Sequence, residues 1–128
     1  MSLDYSLPVL VVDDYQTVSR IVRALLRQAG FADVDEAADG EEAIAKMKDR
    51  KYGLVISDWH MAPTSGLELL QKVKADDNLK HTPFVMVSAE EAPENVATAK
   101  NAGAAAYVVK PFDAQTLRAR IENALRAA

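Results

Sequence analysis

Five short strand-like runs, four of them apolar, each separated from the next by one segment of helical periodicity, restrict this chain to very few architectures. The runs are Val9-Leu10-Val11-Val12, Asp33 to Ala37, Leu54-Val55-Ile56-Ser57-Asp58, Phe84-Val85-Met86-Val87-Ser88 and Ala106-Tyr107-Val108-Val109. Uninterrupted apolar runs of four or five suit strands buried on both faces, as in a parallel sheet. Asp33 to Ala37 alternates and reads as a half-buried strand. From Gln16 to Ala29 the residues Val18, Ile21, Val22, Leu25, Leu26 and Ala29 keep the helical period, and Gly30 ends it. After a turn at Asp39-Gly40, Glu41 to Asp49 predicts a second helix with Ala43, Ile44 and Met47 inward. Gly66 to Lys74 predicts a third with Leu67, Leu70 and Val73 inward, joined by the polar segment from Ala75 to Thr82 to the next strand. Pro93 to about Ala102 predicts a fourth, anchored by Val96 and closed by Gly103. Asp113 reads as the N-cap of a fifth, with Leu117, Ile121 and Leu125 inward.

Strict alternation of strand and helix predicts an α/β fold: a single doubly wound domain, its five-stranded parallel sheet covered by helices on both faces through right-handed crossovers. Residues 8–126 are expected to form that domain, with residues 1–7 an N-terminal extension. The 128 residues suffice for one core and leave no linker that would divide them.

Composition removes several function classes. The net charge is −4 and no Lys/Arg block occurs, so nucleic acid is a poor partner. No apolar run approaches a membrane span, and no basic segment with an apolar core opens the chain; membrane insertion is not expected and a cytoplasmic location is. The absence of Cys excludes disulfides and thiolate metal sites. No Gly-x-Gly-x-x-Gly or Walker-type loop supports a dinucleotide or nucleotide fold.

In open α/β sheets, ligands bind beyond the carboxyl ends of the strands. Here those ends carry Asp13 and Asp14, Asp58, Ser88 and Lys110. If the first and third strands are neighbours, three carboxylates share one small volume. Their repulsion raises the pKa of at least one unless a cation intervenes, and a hard divalent metal is the simplest remedy. Singly, each residue has a plainer reading: Asp13-Asp14 an N-cap, Ser88 a capping hydroxyl, Lys110 a solvated strand end, Tyr107 ordinary packing. Their joint order carries the site.

Asp13-Asp14, Asp58 after an apolar strand, Ser88-Ala89 and Lys110-Pro111-Phe112, in that order, resemble the receiver domain of two-component response regulators. The likeness runs from about Pro8 to Leu125. Ile56-Ser57-Asp58-Trp59, Gly66-Leu67-Glu68-Leu69-Leu70 and Tyr107-Val108-Val109-Lys110-Pro111-Phe112 point to its chemotaxis branch. The resemblance implies a flavodoxin-like strand order 2-1-3-4-5 and a phosphoryl group accepted on Asp58 from a sensor histidine kinase. It implies Mg²⁺ held by Asp14, Asp58 and the backbone carbonyl of His60, with Asp13 reaching it mainly through water. Lys110 and Ser88 would contact the phosphoryl oxygens; Ser88 would then draw toward them and Tyr107 turn inward, reshaping the surface around the fourth helix. His60 and Glu90 occupy positions that tune phosphate lifetime, Trp59 packs beside the site, His81 belongs to a loop, and Lys110-Pro111 is expected cis. Output is expected through a separate protein, for the chemotaxis branch the flagellar motor switch, with a phosphatase as a further partner and the protein itself a monomer.

Two departures stand out. Pro63 lies one residue later than is usual after Met61, which bears on loop shape near His60, and Ser replaces the usual Thr at position 88. Two alternatives stay open. One is a stand-alone receiver in a phosphorelay or cell-cycle pathway. The other is a Mg²⁺-dependent phosphatase of the haloacid-hydrolase type, although that group carries Asp-x-Asp after its first strand and Tyr15 stands two after Asp13.

Overall fold

A computed structural model describes residues 5–90 and 92–127. Its elements follow the alternation: β1 (Val9–Val12), α1 (Gln16–Ala29), β2 (Val34–Ala37), α2 (Gly40–Asp49), β3 (Leu54–Asp58), α3 (Gly66–Ala75), β4 (Phe84–Ser88), α4 (Pro93–Asn101), β5 (Ala106–Val109) and α5 (Ala114–Ala127). All strand pairs are parallel, in the order β2-β1-β3-β4-β5. This is the doubly wound arrangement expected, with β1 and β3 adjacent.

The strands' two-residue side-chain period divides their apolar runs between two cores. Val9, Val11, Leu54, Ile56, Val85, Val87, Ala106 and Val108 pack with Val22, Leu26, Leu117 and Ile121 of α1 and α5. Leu10, Val12, Val55, Phe84, Met86 and Tyr107 pack with Ala43, Met47, Leu69, Leu70, Val73 and Ala99 of α2, α3 and α4. Burying a side chain of this size contributes about 1.5–3 kcal/mol, and the sheet interior is sealed on both faces.

Local chemistry sets the ends. Gly30 takes φ 110°, satisfying the last carbonyls of α1, and Asp39 caps α2 by accepting the Glu42 N–H. Ser65 and Glu68 form a reciprocal capping box on α3, and Asp113 Oδ1 accepts the Thr116 N–H at the start of α5.

Several inward assignments need correction. Ile21 is 55% exposed, while Ser19 is buried with its hydroxyl near the carbonyls of Asp13 and Tyr15. The apolar arc of α1 is wider than the surface it covers, so its outermost member is left in solvent. Leu69, not Leu67, is the fully buried leucine beside Leu70, and Ala124 is buried where Leu125 is only partly so. Strand β2 starts at Val34 rather than Asp33, and Asp35 and Glu36 are half-buried on an edge strand. Of the N-terminal extension, residues 1–4 lie outside the described residues, whereas Tyr5 and Leu7 pack against the α1/α5 core, Tyr5 with its ring 4.8 Å from that of Phe31. No helix among the described residues is long and apolar enough to cross a membrane.

Candidate functional site

The parallel register brings the carboxyl ends of β1, β3, β4 and β5 to one edge. Val12 pairs with Ser57, Asp58 with Val87 and Ser88 with Val109. Asp13, Asp14 and Asp58 each place a carboxylate oxygen within 4.8 Å of the others. Asp13 is 4% and Asp58 8% exposed, whereas Asp14 faces solvent. Lys110 enters from the end of β5, its Nζ 3.0 Å from Asp58 Oδ1 and 3.7 Å from Asp13 Oδ2. One ammonium thus pairs with two of the three carboxylates.

The strain falls on Asp13. Burial pushes its carboxyl pKa above the ordinary value, and Asp58 and Asp14 add to the rise; the Tyr15 N–H, donated to Asp13 Oδ1 at 2.9 Å, and Lys110 oppose it. A cavity of about 390 Å³ beside the cluster is bordered by two further acids, Glu36 and Glu42. The donor set is entirely hard oxygen with a charge deficit on the protein side, which suits a small divalent cation such as Mg²⁺.

The loop after β3 is held close to the site. The Trp59 N–H continues the ladder to the Val87 carbonyl, and the Gly66 N–H returns to the Trp59 carbonyl at 2.8 Å. A Cβ at position 66 would lie 2.1 Å from the Asp58 carbonyl oxygen, so only glycine lets α3 begin there. Ala62-Pro63 is cis, which is the form this loop takes around the displaced proline, and Lys110-Pro111 is cis as expected.

Ser88 is buried and accepts the Glu90 N–H on its Oγ at 3.1 Å. Tyr107 is 6% exposed and donates its hydroxyl to the Glu90 carbonyl at 2.6 Å. Its ring packs edge-on to Trp59, 6.2 Å between centroids. Tyr107 is therefore already inward in this structure. His60 and Glu90 do flank the site and meet, His60 Nε2 lying 3.3 Å from Glu90 Oε1. Glu90 Oε2 also accepts the Asn95 side-chain amide at 2.6 Å. Nothing in the periodicity or motifs singled out Asn95. His81 is exposed in its loop.

The architecture and this edge define a class, and a family model confirms it: the response regulator receiver domain matches residues 9–122, and the chain belongs to that family. The chain is the receiver domain of a CheY-like response regulator, a signalling protein and not a classical enzyme. It is 40% identical over 121 residues to chemotaxis protein CheY-3 of Vibrio cholerae, covering 94% of this chain and 93% of that protein. It is 42% identical over 115 residues to chemotaxis protein CheY of Pseudomonas aeruginosa, covering 90% and 93%. Among solved structures, the chemotaxis response regulator CheY4 of Vibrio cholerae superposes with a TM-score of 0.85 at 34% identity, over 93% of this chain and 98% of that one. Membership in this family sets aside the haloacid-hydrolase reading.

Proposed function

We propose that Asp58 is the phosphoacceptor and that this edge carries a Mg²⁺-dependent phosphoryl transfer from a sensor histidine kinase. The observation that supports this best is the Asp58 carboxylate, nearly buried beside Asp13 and Asp14 with Lys110 Nζ 3.0 Å away. An Asp58 carboxylate oxygen attacks phosphorus, the bond between phosphorus and the donor imidazole nitrogen breaks, and that nitrogen leaves with the electron pair. With a carboxylate as nucleophile the step calls for no general base, so positioning and charge neutralisation carry it. Lys110 neutralises the incoming oxygens. The Ser88 hydroxyl, accepting from the Glu90 N–H, keeps its own proton to donate to one of them. Asp13, Asp14, Asp58 and the His60 carbonyl would hold Mg²⁺, whose chemistry there is charge neutralisation.

Phosphorylation adds about 1.5 to 2 negative charges, and the response biases the surface formed by α4, β5 and α5, where Tyr107 sits. The named relatives are chemotaxis proteins, which supports that role here; the output then passes to a separate target, for which the flagellar motor switch is our reading. A stand-alone receiver in a phosphorelay would use the same site and differ only in partner.

Trp59 adjoins Asp58 and packs on Tyr107, so its fluorescence serves as the probe. Titration with Mg²⁺ and then acetyl phosphate should give a saturable change that Asp58→Asn abolishes. Wild type that binds Mg²⁺ by calorimetry yet shows neither a fluorescence response nor a phosphorylated species by mass spectrometry would overturn the reading.

A further inference from the structure

Glu90 is the point where three separate parts of the molecule meet. Its backbone N–H goes to Ser88 Oγ at 3.1 Å and its carbonyl takes the Tyr107 hydroxyl at 2.6 Å. Its carboxylate is shared between His60 Nε2 at 3.3 Å, from the loop after β3, and Asn95 Nδ2 at 2.6 Å, from the first turn of α4. The His60–Glu90 contact therefore ties together the two loops that leave the neighbouring strands β3 and β4, beside Asp58. The Asn95 bond ties that strap to α4.

Helix α4 has few other attachments. Its N-cap residue is Ala92, which makes no side-chain cap, and Ala99 is its only buried residue among those described. Pro93 has no N–H to satisfy, and the Asn95 and Val96 N–H groups turn back to the Ala92 carbonyl at 3.0 and 3.3 Å, so no capping side chain fixes how the helix leaves the loop. Asn95, third in the helix, instead reaches back to Glu90. No other side-chain hydrogen bond among the described residues joins α4 to the site edge.

We propose that Asn95 is a positioning residue that acts through Glu90, setting at once the strap beside Asp58 and the anchor of the Tyr107 hydroxyl. This rests on the reading of Asp58 as phosphoacceptor for the first effect, while the second is independent of it. With Glu90 held, His60 and Glu90 screen the acyl phosphate from water and Tyr107 stays inward. With Glu90 released, both relax together, and α4 relaxes with them.

Asn95→Ala removes the bond and raises helix propensity at that position, so α4 should still form. Asn95→Asp keeps a helix-compatible side chain but sets a second carboxylate against Glu90. Each is made in wild type and in Glu90→Ala, and two quantities are read. The first is the half-life of the phosphorylated protein, from the decay of the Trp59 signal after removal of acetyl phosphate. The second is the ¹⁹F resonance of fluorotyrosine at Tyr107, assigned with Tyr107→Phe, in the unphosphorylated protein. Loss of one such bond corresponds to about a twofold to tenfold change. We expect Asn95→Ala to shorten the half-life within that range and to shift the resonance, Asn95→Asp to do more, and neither to add anything in Glu90→Ala.

Both readouts unchanged in Asn95→Ala, or the same effect persisting in Glu90→Ala, would overturn the proposal. If wild type never accepts a phosphoryl group, the reading of Asp58 fails, and the fluorine resonance alone still decides whether Asn95 positions Tyr107.

Discussion

Replacing Asp13 by Asn removes one charge from the acidic cluster while keeping an oxygen to accept the Tyr15 N–H. At the 4.8 Å limit of the cluster, and with an effective dielectric constant of about 20, each neighbouring carboxylate costs Asp13 about 3.5 kcal/mol. Lys110 at 3.7 Å offsets about 4.5 kcal/mol on the same scale. The balance is repulsive by about 2.5 kcal/mol before any desolvation of a nearly buried carboxylate is counted. Asp13→Asn should therefore stabilise the metal-free protein by about 2 kcal/mol, raising Tm by about 7 °C for a chain of this length. The raised pKa gives the pH dependence its sign. The folded state binds this proton more tightly than the unfolded state, so the penalty is present at neutral pH and is relieved as pH falls through the folded pKa. The advantage of Asp13→Asn should shrink accordingly on acidification. In saturating Mg²⁺ the ranking should narrow or invert, because wild type gains about 2.7 kcal/mol at a hundredfold excess over Kd and the variant, short of one ligand charge, gains less. Scanning calorimetry of both proteins in EDTA and in Mg²⁺ measures this directly. If Asp13→Asn is no more stable than wild type in EDTA, the repulsion argument is wrong. If millimolar Mg²⁺ leaves the wild-type Tm unmoved, the metal reading fails.

Gly66→Ala should destabilise by about 3 kcal/mol, because its Cβ would meet the Asp58 carbonyl, which is backbone and cannot rotate away. Gly53→Ala meets Leu7 Cβ at 2.9 Å, which moves only with the irregular segment before β1 that carries it, whereas Asp58 is fixed in the sheet; it should cost about 1 kcal/mol, and equal urea midpoints for the two would refute the distinction. Tyr52 is pushed up to about 12, first by burial and then by its hydroxyl bond to Asp35 at 2.7 Å, with the Asp35 charge adding to the rise. Its folded pKa exceeds the unfolded value near 10, so the stability it adds is complete below pH 10 and is lost as pH rises toward 12. Tyr52→Phe should remove that alkaline loss along with the last phenolate absorbance step, and an unchanged pH 10–12 stability profile would contradict this.

Four of the strands were legible because each is a short apolar run with turn chemistry at its ends, and burial on both faces leaves no alternation to misread; the edge strand β2, with Asp35 and Glu36 half-buried, was legible only from alternation, which left its start one residue off. The helices were legible from their period, but their orientation was not. Periodicity places Ile21 and Val22 on one arc of α1, and only the width of the surface beneath decides that Val22 is buried and Ile21 is not. In α3 the same limit put Leu67 inward in place of Leu69. Ser65-x-x-Glu68 is a capping-box pattern readable in the sequence alone. The Arg50 guanidinium, bridging Asp33 at 2.5 Å and Asp35 at 2.8 Å, joins residues 15 and 17 positions apart and left no comparable local sign.

By itself, the sequence determined the βα alternation, and with it the edge on which Asp13, Asp14, Asp58, Ser88 and Lys110 must appear, since every parallel strand ends on the same side. Tertiary structure decided what that edge can do. The separation of the carboxylates, the Lys110 bridge between Asp13 and Asp58, the inward Tyr107 and the meeting of His60, Asn95 and Tyr107 on Glu90 depend on strand register and loop closure. All of them but the Asn95–Glu90 bond, five positions apart, join distant parts of the chain by packing in three dimensions, and no local pattern encodes them.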